Sequence, residues 1–330
     1  MNPFTAIGVG LGVAALGVAS FATGIVVNER LTVEPTPVVA QPVAVVSTIT
    51  PPDPRPVVQV PDRLWPPHTI QAAHVYHPGS KAMVSSVTPF GTGSFGVGIT
   101  ISVTFYYAVE PAMRKALERN AFVKTSQPIG TAGWSWPTDH TMVFRPQNLW
   151  PDHTDVEFST NWMQQGLTEY DPGRNFHIGR SLILRVSYDT QMGILYRDGK
   201  KIREVPVSMG RPGLETWSGY MTVMEKYELK RMINPQYHYD VEVPYAMRLS
   251  WDGIFIHAAP WNEANLGVVA TSHGCINVSY EEGKWWFENS LIGDVVTVTG
   301  PSINTPIAFA AGAVWNIPWG TWVKGAAAAP

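Results

Sequence analysis

Apolar and polar positions along this chain of 330 residues fall into distinct regimes. From Phe4 to Val27 there are 24 residues without a charge, rich in Gly and Ala. As a helix at 1.5 Å per residue this run would reach roughly 36 Å, enough to cross a bilayer core of about 30 Å. From Thr32 to Pro67 the chain turns to Pro, Val, Thr and Gln, with prolines at 35, 37, 42, 51, 52, 54, 56, 61, 66 and 67. Proline fixes φ and removes a backbone donor, so regular helix and central strand are excluded. An extended tether is predicted, reaching on the order of 100 Å at about 3.1 Å per residue; disorder without a spacer role is the plainer alternative. Between Thr69 and Thr168 short alternating runs predict strands at Phe95–Tyr107, Met142–Pro146 and Thr154–Phe158, with one or two helical turns over Ala112–Asn120. About a hundred residues of this kind suggest an antiparallel sandwich.

The strand pattern resumes at Ser181–Tyr188. An Asp198-Gly199 turn joins the runs Gln191–Tyr196 and Ile202–Ser208 into a predicted hairpin. A short break at Leu249–Gly253 leads into an apolar run ending at His257, which places that histidine at a strand end. Ser279 and Glu282 have the spacing of a capping box and open an amphipathic helix through Lys284, Trp285, Trp286, Phe287 and Glu288. A last strand is predicted over Asp294–Thr299. The fold class expected is mostly β, a sandwich followed by a second β-rich domain with one helix.

Charged residues make up only 15% of the chain and the net charge is −3, which gives no footprint for nucleic acid. A single cysteine excludes an intrachain disulfide, and no Cys and His spacing suggests zinc. His68, His74, His77, His140, His153 and His177 are scattered among loop-like residues and read as solvated or locally bonded. The N-terminal run reads as an uncleaved membrane anchor, with a cleavable signal ending near Ser20-Phe21-Ala22 as the alternative. Either reading implies an extracytoplasmic location.

The one cysteine lies in Thr271-Ser272-His273-Gly274-Cys275-Ile276-Asn277, 18 residues after His257. A free thiol with a pKa of about 8.5 is mostly protonated at neutral pH, so a nucleophilic role needs a base or a positive field. His257 is the candidate base. A cysteine on the loop entering a helix would also gain backbone N–H groups and the positive helix end, both favouring a thiolate. The plain alternative is a buried, inert thiol beside a hydrogen-bonded core histidine.

His257 followed by Ser272-His273-Gly274-Cys275-x-Asn277 resembles the active-site signature of the L,D-transpeptidases with a YkuD-type catalytic domain. Phe255-Ile256-His257-Ala258-Ala259-Pro260-Trp261 and Trp315-Asn316-Ile317-Pro318-Trp319 resemble segments of the mycobacterial branch. Trp134, Trp136 and Phe144–Pro151 resemble its immunoglobulin-like domain. The uncharged run and the proline-rich stretch set an anchor or signal at 1–30 and a linker at 31–67, and the resemblance implies an immunoglobulin-like domain at 68–172. A YkuD-type catalytic β-sandwich follows at 173–300, and a C-terminal extension at 301–330 packs on it. Trp134 and Trp136 are expected in the first domain's core, with glycan contact the alternative.

By the same resemblance Cys275 is the acylated nucleophile, His257 its base and His273 a second catalytic histidine. Gly274, Tyr239, Ser272, Asn277, Trp261 and Met232 are expected at the oxyanion or substrate. The implied reaction releases D-Ala from a peptidoglycan tetrapeptide stem and passes the acyl group to a diaminopimelate-type amine of a second stem, giving a 3→3 cross-link. Carbapenems are implied as covalent inhibitors. Water as acceptor would make the protein an L,D-carboxypeptidase, and loss of activity would leave a wall-binding protein. Ala258 departs from the serine of close relatives. Met232–His238 occupies the place of the family's lid and looks shorter than in mycobacterial members. The loop Thr216-Trp217-Ser218-Gly219 replaces the family's Thr-Pro-x-Gly with no predictable consequence.

Overall fold

The computed structural model describes residues 80–235, 237–301, 305 and 310–325. The run Phe4–Val27, the proline-rich tether and the start of the first domain lie outside the described residues. Among the described residues, no helix is long and apolar enough to cross a membrane.

The first domain is a sandwich of two four-stranded sheets. Its elements in order are β1 (Val84–Thr88), β2 (Ser94–Phe95), β3 (Ile101–Phe105), α1 (Pro111–Arg119), β4 (Ala121–Thr125), β5 (Ala132–Thr138), β6 (Thr141–Pro146), β7 (Thr154–Thr160) and β8 (Arg174–Ile178). One sheet has the order β1-β3-β6-β5 and the other β2-β8-β7-β4. Residues at alternate positions of β7, Val156 and Phe158, point inward while Asp155 and Glu157 face out, the period-2 pattern of a half-buried strand. Trp134 packs edge-on to Phe144 at 5.2 Å and lies 5.6 Å from Phe158, inside the core rather than on a glycan-binding face. Two buried indoles of this domain find the polar partner that amphipathic rings require: Trp162 Nε1 donates to Leu117 O at 2.8 Å and Trp136 Nε1 to Glu118 Oε1 at 2.6 Å.

The boundary expected at residue 172 moves. Strand β8 pairs antiparallel with β7 over five residue pairs and parallel with β2, so 174–178 belong to the first sandwich. Its backbone groups find their ladder partners there and nowhere in the second domain.

The second domain contains β9 (Leu182–Ser187), β10 (Met192–Arg197), β11 (Lys200–Pro206), β12 (Gly219–Thr222), β13 (Glu225–Asn234), β14 (Tyr239–Arg248), β15 (Phe255–Ala258), β16 (Ile276–Val278), α2 (Tyr280–Asn289) and β17 (Val295–Thr299). One sheet runs β11-β10-β9-β17-β12 and the other β13-β14-β15-β16. The β10–β11 hairpin turns at Asp198 and Gly199, both at positive φ (50° and 75°), as the Asp-Gly signal predicts for a mirror-image turn. Helix α2 starts where the capping box places it, with Glu282 N donating to Ser279 Oγ. It packs on β15 through Gly283, where a Cβ would come within 2.7 Å of that of Ala258. A small residue at 258 suits this contact. Leu184, Val205, Met221, Met247, Ile256, Ile276, Trp286 and Val296 fill the core between the two sheets.

The two domains abut through glycines. Gly96 N and Gly98 N donate to Ile292 O and Gly293 O, and a Cβ on Gly98 would meet the Val295 side chain at 2.6 Å. The resemblance places the C-terminal extension on the catalytic domain. Its 3₁₀ segment Ala311–Asn316 does lie there, with Asn316 Oδ1 accepting from Tyr220 N at 2.7 Å. Its tryptophans, however, reach the first domain: Trp315 Nε1 donates to Gly98 O and Trp322 Nε1 to Gly133 O. The cause is Arg145, a buried guanidinium on β6 that lies over the rings of Trp315, Trp319 and Trp322 at 5.0, 5.3 and 4.4 Å. The extension therefore straps both domains together.

Candidate active site

The second sheet gathers the chemistry. In the parallel pair β15–β16, His257 stands directly opposite Asn277, and the loop closing that pair carries Ser272 to Cys275. The hairpin β13–β14 rises beside it with ten-residue strands, and the period of 2 sends Met232, Tyr239, Val241 and Val243 toward the cysteine. The end of β13, with Pro235, Tyr237 and His238 beyond it, coincides with the segment expected to form a lid. Together these elements enclose a cleft of about 400 Å³. Of the nine residues expected at the site, Cys275, His257, His273, Tyr239, Ser272, Asn277, Trp261 and Met232 line it, while Gly274 is buried behind the loop.

Cys275 does not sit at a helix start. The strand β16 intervenes, and α2 begins only at Tyr280, so the helix dipole does not act at the thiol as the sequence suggested. Burial pushes the Cys275 thiol up to about 11, against the smaller opposing effects of the Phe255 N–H and the Arg248 charge. Its Sγ lies 3.6 Å from Gly253 O, which accepts from a neutral thiol. The resting nucleophile is therefore protonated, and a base must remove the proton as the reaction begins.

His257 is built for that task. Its Nδ1–H donates to Ala258 O at 2.8 Å, which leaves Nε2 as the basic nitrogen. The contact uses a backbone carbonyl, so the loss of serine at 258 leaves it intact. Burial lowers the imidazole to about 4, keeping it neutral across the physiological range. Trp261, 57% exposed at the mouth of the cleft, stacks on the ring at 6.2 Å between centroids. His273 is exposed, lies between the rings of Tyr237 and Tyr239 at 5.0 and 5.1 Å, and is held below its ordinary pKa by partial burial and by the Arg211 charge. Tyr239 is pushed above its ordinary pKa by burial first and by its closeness to Cys275 second, so it presents a neutral hydroxyl.

The loop itself is held from within. Ser272 Oγ donates to Cys275 O at 2.6 Å and accepts from Gly274 N at 3.1 Å. The Gly274 N–H is thus committed to the turn, a correction to its expected place among oxyanion donors. Gly274 instead supplies a φ of 123° that other residues rarely adopt. Three residues to which the sequence assigned no role, Thr216, Asn262 and Thr271, complete the frame. Thr216, fully buried, donates Oγ1–H to Gly274 O at 2.9 Å and accepts from Gly210 N at 3.0 Å. Asn262 and Thr271 bond to one another and back toward Asn277. Thr216 lies 58 positions before Gly274, and no local pattern ties the two together.

Two other features share no residue with this cleft. A more open groove of about 570 Å³ lies along β4, β7 and β8, where His177 is tied to Asp155 at 2.8 Å and Ser126 Oγ accepts from Asp155 N at 2.8 Å. Asp152, His153 and Asp198 each bring one ligand atom within 4.8 Å of the others at an exposed position.

Known proteins resemble this chain in sequence and fold. Residues 181–298 match the YkuD family, the L,D-transpeptidase catalytic domain, and residues 71–165 match a bacterial Ig domain. L,D-transpeptidase 2 of Mycobacterium tuberculosis is 29% identical over 247 residues, 71% of this chain and 60% of that protein. Among solved structures, the LD transpeptidase LdtMt1 in complex with imipenem superposes with a TM-score of 0.57 at 29% identity, covering 66% of this chain and 99% of that one. L,D-transpeptidase 3 from Mycobacterium tuberculosis with a faropenem-derived adduct gives a TM-score of 0.55 at 29% identity, covering 66% and 98%. L,D-transpeptidase 1 of Mycobacterium tuberculosis is 30% identical over 226 residues, 66% of this chain and 85% of the relative. A sandwich of the bacterial Ig kind, a YkuD domain and relatives of this extent lead to one conclusion: the chain belongs to the L,D-transpeptidases.

Proposed function

We propose that this protein forms 3→3 cross-links in peptidoglycan through a thioester on Cys275. The observation that carries the reading is the pairing, in one cleft, of a solvent-reachable neutral thiol with a buried neutral imidazole whose Nδ1–H is fixed by Ala258 O. Sγ of Cys275 attacks the amide carbon that links the third residue of a tetrapeptide stem to its terminal D-Ala. His257 Nε2 takes the thiol proton and returns it to the departing D-Ala amine, so the C–N bond breaks as the C–S bond persists. A side-chain amine of a second stem, of the diaminopimelate type, then attacks the thioester. Its proton passes to His257 and on to the released thiol.

The oxyanion has two candidate donors in the cleft, the Cys275 N–H and the Tyr239 hydroxyl, since Gly274 N–H is used by Ser272. Met232 of the lid with Val241 and Val243 of β14 give the cleft an apolar wall that excludes water, which favours an amine acceptor over hydrolysis; an L,D-carboxypeptidase would result where water enters. Carbapenems act as covalent inhibitors by acylating Cys275, a reading supported by the imipenem complex of the related LdtMt1. The uncharged N-terminal run would hold the catalytic head at the outer face of the membrane and the tether would extend it into the wall.

Incubating the fragment from residue 66 onward with disaccharide-tetrapeptide stems, beside Cys275→Ala, tests the proposal by mass spectrometry. A dimer lacking one D-Ala that depends on Cys275 is the expected product. Tripeptide monomer with free D-Ala alone would replace the proposal by the carboxypeptidase, and absence of turnover by both proteins would refute it for this substrate.

A further inference from the structure

Both nitrogens of the base are committed, and a chain of amides behind them decides how. Asn277 Nδ2–H donates to His257 Nε2 at 3.0 Å while Asn277 Oδ1 accepts from Asn262 Nδ2 at 3.1 Å. Asn262 is buried, and its own direction is set by Asn265, whose Nδ2 donates to Asn262 Oδ1 at 2.7 Å. Thr271 Oγ1 bridges both ends of the Asn262 amide, at 2.9 and 3.1 Å. An amide has one accepting and one donating end, so each member fixes the next. The outcome is that Asn277 turns its nitrogen, and not its oxygen, toward the base. A donor at Nε2 stabilises the neutral imidazole and opposes the imidazolium.

We infer that Asn262 is a positioning residue for His257: by holding the amide of Asn277 with its nitrogen toward Nε2, it keeps the base neutral at rest and sets the proton affinity with which His257 takes the thiol proton. The inference rests on the reading of Cys275 as nucleophile and His257 as base. Protonation of Nε2 then requires the Asn277 amide to turn or withdraw, and Asn262 resists the turn. Charged side chains do not perform this service. Among the described residues, the titratable groups of the cleft around His257 are Cys275 and His273 from the loop and Tyr239 from β14. On the elements packed against β15, Glu282 of α2 is paired with Arg203 and Arg248 of β14 with Glu225.

The test is Asn262→Leu, which keeps the branching at Cγ, adds no charge and removes the donor to Asn277 Oδ1. In the purified protein with labelled histidine, the pH titration and tautomer of His257 are read by nitrogen NMR, a measurement that needs no turnover and so stands apart from the cross-linking assay. The expected result is a rise of about one pH unit in the His257 midpoint, the size of one net hydrogen bond, with the acid limb of kcat/KM moving up in pH by the same amount. Asn265→Leu, at a half-exposed position, is expected to give a smaller rise in the same direction and serves where the first variant does not fold. A His257 midpoint unchanged in a folded Asn262→Leu or Asn265→Leu protein would overturn the inference.

Discussion

Replacing Thr216 by valine separates a hydrogen-bonding role from a packing role at the base of the cysteine loop. The two side chains have nearly the same shape, so no cavity opens. What is lost is the Oγ1–H donated to Gly274 O at 2.9 Å and the oxygen that accepts from Gly210 N at 3.0 Å, in a side chain with no solvent exposure. A buried backbone group left without a partner costs about 1–3 kcal/mol, so two such groups at the lower middle of that range cost about 3 kcal/mol together. For a folded unit of this size each kcal/mol moves Tm by roughly 2–4 °C, which predicts a fall of roughly 6–12 °C. Thr216→Ser keeps the hydroxyl and loses one methyl, a cost of about 1 kcal/mol. Calorimetry of both variants is the assay, accompanied by the rate at which imipenem adds mass to Cys275, expected to fall in the valine variant because Gly274 O no longer anchors the loop. The hydrogen-bond argument orders the proteins wild type, serine, valine; a packing argument reverses the last two. A valine variant as stable as wild type, or more stable than the serine one, would sink the reasoning.

Three further outcomes follow from the same geometry. Because burial raises the Cys275 thiol to about 11, iodoacetamide labelling of the free protein is expected to climb about tenfold per pH unit from pH 7 toward pH 10; a plateau near pH 7 would show instead a thiolate paired with an imidazolium. Gly274→Ala forces a side chain onto a φ of 123°, at a strain of about 1–3 kcal/mol concentrated in the residue before the nucleophile, and is expected to lower acylation by imipenem far more than it lowers Tm; equal rates in the two proteins would contradict this. Trp322→Ala removes a fully buried indole that bonds Gly133 O and covers Arg145, at a cost of about 3–5 kcal/mol seen in denaturant unfolding, and limited proteolysis should then release the C-terminal extension before the rest of the chain is cut.

What could be read from the residues alone was local or carried in a contiguous motif. The Asp198-Gly199 turn, the Ser279–Glu282 capping box, the alternating strands and the Cys275 loop with His273 each depend on neighbours within a few positions, where spacing maps directly onto backbone geometry. The family followed from the same contiguous residues. What the chain did not disclose depends on pairs brought together over long separations. Strand β8 belongs to the first sandwich because its ladder partners are in β7 and β2, and nothing in Arg174–Ile178 says so. Arg145 draws a tail more than 170 residues away across both domains by offering a buried cation to three tryptophans. The short strand β16, inserted between Cys275 and α2, withdraws the helix dipole that the sequence order implied, and burial then leaves the thiol protonated. Thr216 and Asn262 matter only through hydrogen bonds that close when the sheets pack. Sequence determined which groups this protein has for its chemistry; the tertiary structure decided their protonation and orientation, because both depend on which dipoles and how little water surround each atom.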